Sequence, residues 1–284
     1  MTLQPAKERI GFMQGRLSPV VGSMIQAFPQ VSWRDEFSLA AENGFGLMEW
    51  TLDHEGLDDN PLMTSAGRND IRELSEVNSV RIPSVTGDCF MQAPFWKAER
   101  ESRNGLEDEF LRIVESASDL GIEILMVPLV DGGAIESDDQ ESRLVDFLLQ
   151  HSELFASHGV SVALESDFAP KRLRALIERL PVPSFGINYD IGNSAALGYD
   201  PGEEIGLYGD RIINLHVKDR LLGGTTVPLG TGAADIPLAL GLLADSGYDG
   251  DFILQTARAE DGDDVGALCH YRDMTLDWLE HRGS

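Results

Sequence analysis

The chain has 284 residues, 42% of them hydrophobic, and a formal net charge of −26. That length suits one large α/β domain spanning 1–284 around a sizeable core. The charge argues against a nucleic-acid partner, because binding a phosphate backbone needs clustered Lys and Arg that release counterions, and no basic stripe is present.

Short apolar runs alternate with longer amphipathic stretches along the whole chain. The opening stretch, MTLQPAKERIGFMQGRLSP, has no apolar run long enough for a signal peptide, and no later segment offers about 18 apolar residues to span a bilayer. A cytoplasmic protein without a membrane partner is the default expectation. The first run, 10–14 (IGFMQ), leads through a long loop to a helical pattern over 34–43. Strands at 47–51 (LMEWT), 81–86 (RIPSVT) and 122–130 (IEILMVPLV) are followed by helices near 67–78, 105–119 and 139–158. Strands at 160–166 (VSVALES), 184–190 (SFGINYD), 211–218 (RIINLHVK) and 251–256 (DFILQT) pair with helices near 170–180, 202–208, 236–246 and 264–281.

Helix stops recur just before strands, as ENGF, DLGIE, SHGVS and DSGYDG, where Gly or Asn takes the left-handed conformation that ends a helix. Helix-to-strand connections are therefore short, whereas the loops after the first, third and seventh strands are long, near 15–33, 87–104 and 219–235. Eight strand-helix units of this kind predict a (β/α)₈ TIM barrel with its site at the carboxyl end of the strands. A doubly wound open sheet is disfavoured, because no G-x-G-x-x-G turn follows the first strand. Cys89 and Cys269 are far apart, which fits a reducing compartment and gives no thiolate metal signal.

Residues two apart on a strand point to the same side, so an inward polar residue near a strand's end faces the barrel mouth. By this alternation Ala163 and Glu165 face inward on the fifth strand, and Asn188 and Asp190 on the sixth. Asn214, His216 and Lys218 do so on the seventh, and Ile253 and Gln255 on the eighth. A lone Asp at a strand end is more often a cap and a lone His more often a satisfied polar residue. Converging carboxylates are another matter, since they repel and raise one another's pKa unless a cation or a shared proton relieves them. The set Glu165, Asp190, His216 and Gln255 therefore reads as a divalent metal site, its mixed oxygen and imidazole donors suiting Mn²⁺, Mg²⁺ or Co²⁺, with Zn²⁺ as a further option.

The stretches GFMQGRLSP, LMEW, RIPSV, ALES, YDIGN, NLHVKD, VPLGTGAADI and GYDGDFILQ resemble the xylose isomerase-like barrel family of sugar and sugar-phosphate isomerases and epimerases. They are most similar to its L-ribulose-5-phosphate 3-epimerase and hexulose-phosphate isomerase branch. The resemblance implies a divalent metal, Mn²⁺ favoured, held by Glu165, Asp190, His216 and the strand-eight residue, with a ketose bound through its carbonyl and neighbouring hydroxyl. It implies a dimer or tetramer, and two glutamates that exchange protons at a substrate carbon. Glu165 matches the first of these. At the second position this chain carries Gln255. An amide can offer its oxygen to a metal but has no accessible pKa for proton transfer. Gln255 thus favours a one-base isomerase with Glu165 as shuttle, or an epimerase whose second acid is another residue or a water.

The remaining candidates carry two readings each. Lys218 can meet a substrate phosphate or oxygen, or pair with Asp219 or another nearby acid. In the loop RLLGGTTVPLGTGAAD, the backbone amides at Gly230 and Gly232 can approach an anion, or the glycines can simply supply flexibility. Asn193 can orient Asp190 or bond a sugar hydroxyl. Glu49 faces inward on the second strand, toward a hydroxyl or another inner-layer residue. Arg16 can bind an anionic group or be solvated. Gln14 and Asp88 lie at strand ends without a settled role, and His54 reads as a surface residue. Phe90, Phe95 and Trp96 can wall off the mouth, or belong to the core or to an oligomer contact. The leading function is a metal-dependent isomerase or epimerase of a small sugar or sugar phosphate. The alternatives are a dehydratase of a keto-polyol or sugar acid, and a non-catalytic sugar- or metal-binding barrel. A DNA-repair endonuclease, also within the family, is disfavoured by the charge and by the single histidine at a strand end.

Overall fold

The computed structural model of the protein describes residues 6–22 and 24–281. Eight parallel strands form a closed barrel: β1 (Ile10–Met13), β2 (Met48–Thr51), β3 (Ser84–Thr86), β4 (Ile124–Leu129), β5 (Ser161–Ser166), β6 (Phe185–Asp190), β7 (Ile212–Val217) and β8 (Phe252–Leu254). Each strand neighbours the next in sequence, and β1 closes the ring against β8. Helices cover the outside while side chains fill the inside, so the strands are buried on both faces, which is why they read as near-continuous apolar runs. The register pairs Pro128 with Glu165, Asp190 with His216, and His216 with Ile253. In-register partners share a face, so this pairing turns the polar strand-end residues into the same interior. A small apolar cluster of Met13, Leu47 and Ile253 is separate from the main core.

Several boundaries differ from the sequence expectation: the helix expected from 105 starts at Arg100, the one expected to 180 ends at Ile177, and the last strand is Phe252–Leu254, and two further differences have a local cause. The third strand begins at Ser84 and not at residue 81, because Pro83 has no N–H to continue the ladder; Arg81 keeps only an isolated bridge to Leu47. The helix expected over 139–158 divides at His151 into Asp138–Gln150 and Ser152–His158, where the Ser152 hydroxyl donates to the Leu149 carbonyl and competes with the helical ladder. The SHGVS stop works as expected, with Gly159 at φ 67° after the second of these helices. Short elements also occupy the loops at the strand carboxyl ends. Helices Asp88–Gln92 and Ile191–Leu197 follow β3 and β6, and an antiparallel ribbon pairs Asp219–Arg220 with Thr226–Val227 after β7.

The aromatic residues of the third loop belong to the core. Phe90 stacks on Phe110 at 4.6 Å and Phe95 on Phe147 at 4.6 Å, and Trp96 is fully buried with its indole N–H donating to Gly133 O. Among the described residues no helix is long and apolar enough to cross a membrane.

The long loop after β1 is anchored by a buried carboxylate. Glu36, on helix Asp35–Glu42, accepts the backbone N–H groups of Gly15 and Leu17. Burial pushes its pKa up to about 7, against the partial relief of those hydrogen bonds. A folded-state pKa above the ordinary 4.5 means the protonated form is favoured by folding. The contribution to stability is full below about pH 4.5 and is lost as pH rises through about 7. Urea midpoints measured from pH 5 to 8 should show this decline, and Glu36→Gln should flatten it.

Candidate metal and substrate site

His216, near the end of β7, is fully buried at the centre of the site. Its Nε2 lies 2.8 Å from Glu49 Oε1, while the other oxygen of Glu49 accepts from Ser84 Oγ at 2.6 Å and Asn214 Nδ2 at 2.8 Å. Nδ1, on the other side of the ring, lies 3.2 Å from Asn188 Nδ2, 3.4 Å from Glu165 Oε2 and 3.9 Å from Asp190 Oδ2. Burial by itself opposes a charged ring, but Glu49 and Glu165 outweigh it and hold the imidazole pKa up at about 10. The same attraction, with the Ser84 and Asn214 hydrogen bonds, keeps Glu49 below the usual carboxylate range despite its burial.

Glu165, next to last in β5, has both oxygens engaged, accepting from Asn188 Nδ2 at 2.5 Å and Asn193 Nδ2 at 2.7 Å. Burial would raise its pKa, yet His216, Lys218 and Asn188 together hold it below its ordinary value. Asp190, the last residue of β6, caps helix Ile191–Leu197 by accepting from Asn193 N at 2.8 Å. Burial raises its pKa, with Lys218 opposing and Glu165 reinforcing the shift. Lys218 Nζ sits 3.1 Å from Asp190 Oδ2 and 3.1 Å from Gln255 Oε1, and the Gln255 amide N–H points to Met13 Sδ at 3.3 Å.

Donor atoms of Glu165, Asp190 and His216 lie within 4.8 Å of one another. Two carboxylate oxygens and a ring nitrogen whose partner nitrogen is fixed by a carboxylate make a donor set suited to a divalent cation. Gln255 approaches this group through the Lys218 ammonium, which lies between its oxygen and Asp190. Above the cluster opens a cavity of about 680 Å³ lined by Arg16, Asp88, Glu165, Asn193, Lys218, Arg220 and Gln255 among others. It has the size and mixed lining of a small-molecule site.

Several sequence expectations need correction. Glu49 does not line the cavity; it lies beneath His216 with no exposed surface, and both its oxygens are spent on His216, Ser84 and Asn214. Gly230 and Gly232 do not present free amides either. Their N–H groups donate to Asp219 Oδ2 at 2.9 and 2.8 Å, and Ala234 N donates to Asp219 Oδ1, so the loop already cradles an anion supplied by its own chain. A Cβ at position 232 would lie 2.2 Å from Asp219 Oδ1, which is why glycine stands there. Asp219 is thereby occupied, and Lys218 pairs with Asp190 instead.

Arg16 does line the cavity, its guanidinium tied to Thr256 O, Ile25 O and Gln26 Oε1. Burial and the neighbouring Arg258 lower its pKa to about 10. Gln14 Oε1 accepts from Thr51 N, which ties the ends of β1 and β2. His54 is at the surface, 3.4 Å from Glu109. The sequence placed Asn188 and Asn214 inward without giving them work; each stands two residues before a site residue, and N-x-D and N-x-H were the available signal. Arg220, missed altogether, bridges Gly224 O and Asn193 Oδ1 at the rim.

A family model described as xylose isomerase-like TIM barrel matches residues 37–271. The L-ribulose-5-phosphate 3-epimerase UlaE of Escherichia coli (strain K12) is 26% identical over 263 residues, covering 88% of this chain and 89% of its own. Among solved structures, the IOLI protein with a bound zinc atom superposes with a TM-score of 0.76 at 18% identity, over 97% of this chain and 99% of that one. The D-psicose 3-epimerase of Clostridium cellulolyticum H10, solved with D-tagatose, gives a TM-score of 0.71 at 13% identity, covering 96% and 99% of the two chains.

Proposed function

The chain belongs to the xylose isomerase-like TIM barrel family, and from that premise we propose that it is a metal-dependent epimerase or isomerase of a small ketose or ketose phosphate. The observation that carries the reading is the convergence of Glu165, Asp190 and His216 beside a sugar-sized cavity that Glu165 lines. Names of relatives agree, since UlaE and the psicose enzyme are both called ketose epimerases.

Glu165, Asp190 and His216 would hold the cation, Gln255 would add its amide oxygen, and Mn²⁺ is the expected ion, with Mg²⁺, Co²⁺ and Zn²⁺ as alternatives. When bound, such an ion offsets the negative charge that develops on the substrate's carbonyl and neighbouring hydroxyl oxygens. Glu165 takes the proton from the carbon beside the carbonyl. Its two asparagine partners fix the carboxylate's orientation, and its lowered pKa keeps it ionised and ready to accept. Lys218 and Arg220 lend positive charge to the cavity wall and suit an anionic or hydroxyl-rich substrate.

The test is a screen of ketoses and their phosphates, L-ribulose 5-phosphate and D-tagatose among them, in deuterated water with Mn²⁺. Exchange of the carbon-bound proton with accumulation of an epimer or aldose is expected. Mass loss of one water would replace the reading with a dehydratase, and binding without exchange would leave a non-catalytic barrel.

Gln255→Glu adds a charge opposite Asp190 and should tighten Mn²⁺ binding by on the order of tenfold, since affinity follows the charge count of the ligands. Isothermal titration calorimetry reads this directly. Unchanged affinity would place residue 255 outside the coordination sphere.

A further inference from the structure

A buried acid near the cation cluster has no hydrogen-bond or ion-pair partner among the described residues. Asp88 follows β3, is 7% exposed and lines the cavity, yet among the described residues its carboxyl makes no hydrogen bond or ion pair. An unpartnered buried carboxyl is costly to keep unless something else satisfies it. Two further buried polar atoms on this side of the barrel, Gln14 Nε2 at the end of β1 and Thr86 Oγ1 two residues before Asp88, also lack partners among the described residues. Neither Gln14 nor Thr86 lines the cavity, so of these three residues Asp88 alone reaches it.

The opposite lack exists at Gln255, which cannot carry a proton. Of the other cavity groups, Lys218 is held by Asp190 and Gln255, Arg16 by Thr256, Ile25 and Gln26, and Arg220 by Asn193 and Gly224, while Asp131 is exposed and Asp167 is half-buried, two residues after Glu165 and so on the same side as that base. Resting on the epimerase reading above, we propose that Asp88 is the second proton-transferring residue of the site, serving the substrate face that Glu165 does not. Strand β4 lies between β3 and β5, so the two carboxyls reach the cavity from different strands of the barrel.

Glu165 takes the proton, and the C–H electron pair moves to the carbonyl oxygen to give an enediolate. Its electron pair returns to form a new C–H bond with the Asp88 proton, restoring the carbonyl and leaving Asp88 ionised. Water then takes the proton from Glu165 and returns one to Asp88. Burial first, then Asp53 and Glu165, push the Asp88 pKa up to about 7, with His216 opposing and Glu49 reinforcing the shift, so the carboxyl carries a proton at neutral pH. Arg16 also faces it from the first loop.

The experiment uses the Mn²⁺-loaded full chain in deuterated water, with L-ribulose 5-phosphate and D-tagatose as probes. Wild type should exchange the proton beside the carbonyl and form the epimer. Asp88→Asn should keep exchange through Glu165, lose epimer formation by about a hundredfold or more, and hold KM within about threefold. Asp88→Glu should restore part of the rate, and the thermal midpoint of each variant checks folding. The assignment is overturned if Asp88→Asn keeps kcat within about threefold, raises only KM as a hydroxyl-binding residue would, or loses exchange together with epimer formation while folded. Wild type inert in both assays overturns the epimerase reading and this assignment with it.

Discussion

Glu165→Gln is expected to lower turnover by about 10²–10⁴-fold, the usual worth of a positioned general base. The substitution is close to isosteric. An amide oxygen can still accept from Asn188 or Asn193, so the floor of the cavity keeps its shape and the loss falls on chemistry. What disappears is the one carboxylate among the described residues that combines a lowered pKa with a place on the cavity wall; Glu49 shares the shift but is sealed beneath His216, and Asp88 and Asp190 are shifted upward. Deuterium exchange into a ketose and Mn²⁺ titration should be measured together. A variant that binds Mn²⁺ and exchanges at the wild-type rate would remove Glu165 from the proton path.

Glu49→Ala should be the most damaging substitution for the fold. It strips a fully buried imidazole of its nearest charge partner and Ser84 Oγ of its acceptor, and leaves Asn214 Nδ2 with Asn188 Oδ1 alone. Breaking a buried pair from one side costs about 3–5 kcal/mol, because the surviving charge or polar group has no water to fall back on. The ring would also lose the contact that fixes its orientation, so Mn²⁺ affinity should fall by about 10–100-fold. Glu49→Gln keeps one acceptor and should cost less. Urea denaturation of the metal-free protein separates this role from the sequence expectation of a sugar ligand: an unchanged midpoint with a raised KM would restore Glu49 to the substrate.

Particular residues show where sequence reasoning carries and where it stops. The alternation in VALES, INYD and INLHVK turned Glu165, Asp190 and His216 to one side, and the register brought them together. The glycine loop after β7 was open to two readings, and neither was the one found, because the anion that fills it is Asp219, eleven residues before Gly230. Glu49 and His216 are 167 residues apart, and nothing local in either strand announces their contact. Asp88 stood among the undecided residues, since its lack of a partner exists only once every neighbour is in place.

The order of apolar runs and helix stops was enough, alone, to specify an eight-unit barrel and the inward faces of its strands, because strand period and helix termination are set by residues a few positions apart. Which inward carboxylates are clamped, which is left bare and which amides are already taken depended on closure of the ring. Closure sets side chains from distant strands a few ångströms apart in a space with little water, and there each charge is governed by neighbours across the barrel and not along the chain.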